Sequence, residues 1–227
     1  MSVDELPPPV RAAAPRSSRG RAAATVIAGM TGMGVLLGGV WAWLAPPVHG
    51  VVALTRAGER VHTYLGDEAD NFFVAAFLML GLLWVVSVVA PVLVWQWRIH
   101  RGPLMVAALS LGAVLSAAAA TGIGAVLAAT RHPAVSIDSA PVSADQRVYY
   151  FTQAPLVFFG PAPLQMAASL LVPAATAALV YALFAVSTER DDLGAYPPVE
   201  PLRVPAPALV EPAGPTPQPS VVEPGER

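Results

Sequence analysis

The sequence predicts an all-α membrane protein. Four transmembrane helices place both termini in the cytoplasm, and two loops supply a small β-containing cap outside. Three observations predict it. Of the 227 residues, 55% are hydrophobic and only 12% charged, about half the charged share of soluble domains. Four apolar runs reach the roughly 20 residues that a helix needs to cross a bilayer core. None of them holds a charged interior residue. Lipid offers backbone no hydrogen-bond partner, so helix is the economical state for each run.

Residues 1–21 contain LPPPVRAAAPRSSRG and read as a disordered cytoplasmic tail, because proline lacks an amide donor and favours extended backbone. A transmembrane domain over 22–188 follows. Its first span, about 23–44, has a basic approach like that of a signal peptide. The run is longer than the roughly 7–15 apolar residues of a signal core, and Pro46 stands where cleavage after Ala45 would fall. An uncleaved anchor is therefore expected. The outer loop 45–70 carries two β-prone runs, Val51–Thr55 and Arg60–Leu65, around the turn-like RAGE. The second span runs over 71–95 and the third over 103–130. The second outer loop, 131–163, offers Val135–Asp138 and Arg147–Thr152 as further strands. The fourth span covers 164–187, and 189–227 is a second proline-rich cytoplasmic tail.

Arginine placement sets the orientation. Arg11, Arg16, Arg19 and Arg21 precede the first span, Arg98 and Arg101 occupy the short link between spans two and three, and Arg190 follows the fourth. These seven face Arg56, Arg60, Arg131 and Arg147 in longer, acid-containing loops, which puts the termini on the cytoplasmic side of a bacterial plasma membrane.

Several function classes are excluded or unsupported. The absence of cysteine removes disulfides, thiol chemistry and zinc–thiolate sites. A net charge of −2 without a basic patch gives nucleic-acid binding no footing. The spans lack the intramembrane acid, base or histidine that pumps usually keep. Ser87 and Ser169 have no histidine or lysine nearby in sequence, and no GxSxG, Walker or dinucleotide motif occurs. The chain reads as a non-enzyme without a cofactor or bound metal.

Four constellations remain. Asp67, Glu68 and Asp70 crowd the start of span two. Acids there suit the positive end of the helix dipole. A hard-cation site is the rival, but no metal-binding spacing accompanies them. The helix mouth is the favoured account of all three, and outer-face contact their candidate role. In span three, Ala108, Gly112, Ser116, Ala120, Gly124 and Ala128 recur every four residues, with Gly34 and Gly38 in span one and Ala174, Ala178 and Ala182 in span four. Small residues let helix backbones approach closely. Packing within one chain is favoured over self-association, with span three as the hub. Pro91 and Pro173 each free a carbonyl four residues back, at Ser87 and Ser169, giving a kink or a pocket. Finally, Trp41, Trp43, Trp95 and Trp97 sit at span ends like an interfacial belt, as do the aromatics between Tyr149 and Phe159.

WAWLAPP closing span one, GDEADNFFVAAF opening span two, HRGP before span three and APLQMAASLLVPAATAALVYAL in span four together resemble an uncharacterised actinobacterial four-span membrane protein family, of the domain-of-unknown-function type. The resemblance covers roughly residues 22–196. It implies a multi-pass membrane protein of a high-GC bacterium and brings no assigned activity. The expected function is a non-catalytic accessory or scaffold subunit of an envelope or transport complex, with the bilayer and a membrane protein, or a second copy, as partners. The alternative is a binder or carrier of a lipid or other apolar molecule between kinked spans two and four.

Overall fold

The computed structural model describes residues 18–189 and Leu193. Most of both predicted tails lies outside the described residues. Four helices dominate: α1 (Arg19–Leu44), α2 (Asp70–Trp95), α3 (Pro103–Arg131) and α4 (Pro163–Val186). Each is long and apolar enough to cross a membrane. They coincide with the predicted spans to within a few residues. The largest difference is at α1, which starts at Arg19 because Ser18 caps it: the Arg21 amide donates to Ser18 Oγ at 3.2 Å. A side-chain oxygen that accepts a free first-turn amide decides where a helix begins.

The helix α3 is the hub. Half of its apolar stretch is buried, against 22–28% in the other three. It packs most closely on α1, backbone against backbone. A Cβ built on Gly34 would lie 2.7 Å from Ser116 Cα, and one on Gly38 would lie 2.6 Å from the Ala120 carbonyl oxygen. Partner numbers rise together along both helices, so α1 and α3 run parallel. The other two helices close the bundle around two apolar clusters. One, near the α1 N-terminus, holds Val26, Met30, Leu109, Ala113, Ala177 and Tyr181. The second, nearer the sheet, holds Trp41, Ala75, Met79, Leu83, Ala117 and Ala120.

The predicted cap is a three-stranded antiparallel sheet of order β2-β1-β3, with β1 at Val48–Leu54, β2 at Arg60–Tyr64 and β3 at Val148–Gln153. The Thr55–Glu59 turn joins β1 to β2, with Gly58 at φ +85° where a side chain would be strained. On β1, Gly50 pairs with Phe151 and leaves room for its ring. The proposed strand at Val135–Asp138 is not one. The chain turns there through Ser139 N–H to Ser136 O and Ala140 N–H to Ile137 O bonds, and Arg60 donates to the Ile137 and Asp138 carbonyls. Pro133 and Pro141 bracket this segment and cannot donate to a ladder. Its apolar residues Val135, Ile137, Ala140 and Val142 instead cover one sheet face, over Val52 and Phe151.

Candidate functional site

Four polar contacts near the helix ends fix the footing of the sheet: two join helix to helix beneath it, and two reach β1 or the residue before it. Trp41, fully buried, donates its indole N–H to the Ala75 carbonyl at 2.7 Å and joins α1 to α2. Arg131, in the last turn of α3, donates to the Ala42 carbonyl at 3.0 Å, among the carbonyls that α1 leaves open at its end. The Asn71 amide reaches the Pro47 carbonyl at 3.1 Å. Glu68 takes the His49 amide at 2.6 Å and lies 2.5 Å from His49 Nδ1.

That last contact corrects the account of the acid cluster. Only Asp70 lies in the first turn of α2, whose cap residue is Ala69 and makes no side-chain bond. Glu68 turns away to β1, and Asp67 and Asp70 are exposed. The three acids do not converge: among the described residues no three potential ligands are placed to hold a metal ion. The partners Glu68 and His49 are 19 positions apart, so no local spacing announced them.

Hydrogen bonding to the His49 amide is the main cause holding the Glu68 carboxyl below its ordinary value; the His49 side chain adds to it against a desolvation that raises it. A depressed folded value means that the tie contributes fully above the unfolded pKa of about 4.3 and is lost as pH falls through the lower, folded value. Exchange of the His49 amide, corrected for intrinsic chemistry, is therefore expected to quicken on acidification below the ordinary carboxylate range. In Glu68→Gln that acid step is expected to vanish, and a step that persisted would place the titrating group elsewhere.

At the opposite end a second lock closes the link between α2 and α3. Arg101 donates from Nε to the Trp95 carbonyl at 3.0 Å and from Nη1 to the Leu193 carbonyl at 2.6 Å, with its guanidinium 4.2 Å from the Trp95 ring centre. Trp95 meets Tyr181 edge-on and stacks on Phe184. The Tyr181 hydroxyl accepts the Gly102 amide at 2.9 Å, where Gly102 adopts φ +143°. The belt reading of the tryptophans is thus corrected at two positions. Trp41 and Trp95 hold elements together, while Trp43 and Trp97 remain exposed.

All six small residues of α3, Ala108, Gly112, Ser116, Ala120, Gly124 and Ala128, are buried within the chain. Gly112 faces Met30, and Gly124 faces Trp41 and Met79. The face on α4 differs from the spacing proposed: Ala174, Ala177 and Tyr181 are buried, whereas Ala178 is half-buried and Ala182 exposed. The Ser116 hydroxyl has no hydrogen-bond partner. Removing an orphaned buried hydroxyl costs no bond, so Ser116→Ala is expected to raise stability by about 1 kcal/mol. A melt in detergent checks this, and a lowered Tm would show that the hydroxyl is used.

Ser87, Pro91, Ser169 and Pro173 are all buried. The serine hydroxyls donate upstream, to the Leu83 and Gln165 carbonyls, rather than to the carbonyls freed by proline. The described openings lie elsewhere. A recess of about 400 Å³ under the sheet is lined by Tyr64, Phe72, His132 and Gln153 among others. A wholly different groove of about 320 Å³ runs between α1 and α2, lined by Thr25, Gly29, Met33, Val85, Val89 and Leu93 among others. Phe73, Phe77 and Phe159 form a further edge-to-face cluster, with Phe73 and Phe77 more than half exposed.

Comparison with known proteins places this arrangement. Residues 30–195 match the family model described as a protein of unknown function, DUF2567. The chain belongs to the DUF2567 family. All four motifs quoted above fall inside the match, which shows the resemblance to an uncharacterised actinobacterial family. An uncharacterised protein of Mycobacterium tuberculosis (strain H37Rv) is 58% identical over 174 residues, covering 76% of this chain and 90% of its own. One from Mycobacterium leprae is 53% identical over 176 residues, covering 78% and 89%. No solved structure matches. Within the DUF2567 segment lie every cap anchor and the Arg101 lock to Leu193.

Proposed function

We propose that this DUF2567 protein is a non-catalytic accessory subunit of the plasma membrane, with both termini cytoplasmic, that engages an envelope protein through the free edge of its outer sheet. The observation that carries this reading is the state of β2. Bonded pairs at His49–Leu65 and Thr55–Glu59 set the antiparallel alternation, so Val61 and Thr63 bond to β1. The amides of His62 and Tyr64 then point away from the sheet, and neither has a backbone partner among the described residues. An open edge is a template for a partner strand. The four anchors hold that edge at a set height and orientation over the bundle, as a scaffold requires.

The test is affinity purification from native membranes in mild detergent, comparing the wild type with His62→Pro. Proline on an edge removes one outward amide and no bond to β1. The wild type is expected to bring down a stoichiometric membrane or envelope protein, and His62→Pro to lose it while melting at the same temperature. A wild type recovered alone, or a partner retained by His62→Pro, would defeat the proposal.

A further inference from the structure

The groove between α1 and α2 has a direction. On α1 its lining residues Thr25, Gly29 and Met33 recur every four positions, and Arg21 stands four positions before Thr25 on the same stripe. On α2, Val85, Val89 and Leu93 do the same, ending at Trp97 with Arg98 next in the chain. The groove therefore begins between two cationic positions and continues as apolar surface, with Thr25 its one hydroxyl-bearing residue. That hydroxyl is already spent on the Arg21 carbonyl. The stretches Thr25–Met33 and Val85–Val94 each cover about 12–14 Å of helix axis, close to the roughly 15 Å of hydrocarbon in one leaflet.

Among the described residues, neither Arg21 nor Arg98 makes a side-chain hydrogen bond or ion pair. Arg101 of the same link is fully engaged. A Cβ on Gly29 would meet nothing within 4 Å, whereas one on Gly34, Gly38, Gly112 or Gly124 would crowd a neighbouring helix, so the groove floor stands open.

From this we infer that the groove is a binding site for one anionic glycerophospholipid of the leaflet at the N-terminal end, an acyl chain lying between α1 and α2 and the phosphate meeting Arg21 and Arg98. Arginine suits a phosphate because its donors match the oxygens in pairs. An acyl chain suits the groove because it presents no polar atom to be left unsatisfied there. The inference needs only that the helices sit in a bilayer, and it stands or falls apart from the partner at β2.

Native mass spectrometry of the detergent-purified protein, mixed with equal amounts of dioleoyl phosphatidylglycerol and dioleoyl phosphatidylcholine, tests it. The wild type is expected to retain one phosphatidylglycerol, favoured about tenfold, as expected for cationic positions that each attract an anionic headgroup. Gly29→Phe fills the groove and is expected to lose the lipid. Gly39→Phe, whose added Cβ also meets open space, should keep it. Arg21→Gln with Arg98→Gln should bind both lipids equally and weakly. If Gly29→Phe fails to fold, this charge pair alone decides. Equal retention of both lipids by the wild type overturns the inference. So does undiminished retention in a folded Gly29→Phe, or a wild-type dimer without lipid that Gly29→Phe dissociates.

Discussion

Gly34→Leu is expected to destabilise the folded bundle strongly, while Gly39→Leu, five residues along the same helix, is expected to leave its stability unchanged. Both substitutions add the same side chain to the same apolar helix. They differ in what the new carbon meets. At Gly34 the nearest atoms are the Ser116 carbonyl oxygen, Cα and carbonyl carbon; at Gly39 nothing lies within 4 Å. Overpacking against side chains typically costs about 1–3 kcal/mol because rotamers can give way. Here the obstacle is backbone on the hub helix, so α1 must move as a body and forfeit the contacts along its length. A loss of at least about 3 kcal/mol is expected, or roughly 6–12 °C in Tm for a chain of this size. Melts of both variants in one detergent measure it. Equal Tm values would mean that α1 and α3 do not lie backbone to backbone.

The second large effect is expected at Trp41. Trp41→Ala removes a fully buried indole from the cluster that also holds Met79 and Leu83, and with it the bond to the Ala75 carbonyl. Truncation of a buried tryptophan costs about 3–5 kcal/mol through lost contacts and the cavity left behind. Trp43 is 73% exposed, and Trp43→Ala is expected to shift stability by no more than about 0.5 kcal/mol. The loss at Trp41 should also reach the cap, because α1 leads directly into β1 and Arg131 holds the Ala42 carbonyl one position on. Hydrogen exchange of β1 amides is therefore expected to rise in Trp41→Ala and not in Trp43→Ala. Similar melts for the two variants would contradict the buried position of Trp41.

These two predictions mark where sequence reasoning reached and where it stopped. The four-residue spacing in span three showed that a close-packed face exists, and the structure puts all six of its residues inside the chain. Spacing alone did not say whether another copy or another helix would fill it. The tryptophans illustrate the same limit. Trp41 and Trp43 look alike in WAWLAPP, yet two positions on a helix are about 200° apart, so one enters the core and the other faces outward. Glu68 looked like a member of a local acid cluster because its two acidic neighbours are local. Its working partner is on a strand 19 residues upstream. Pro91 and Pro173 read as interruptions of their spans, yet both rings are buried in the core, and a groove opens between α1 and α2.

By itself the sequence determined the number, length and approximate ends of the helices, and the presence of strands in the two longer loops. Those follow from apolar run length, backbone hydrogen-bond need and turn residues, all of which act over neighbouring positions. The tertiary structure alone decided which helix faces meet, which acid pairs with which histidine, and where a groove stays open between α1 and α2. Such outcomes depend on contacts between residues far apart in the chain, and a contact of that kind leaves no periodicity for a single sequence to display.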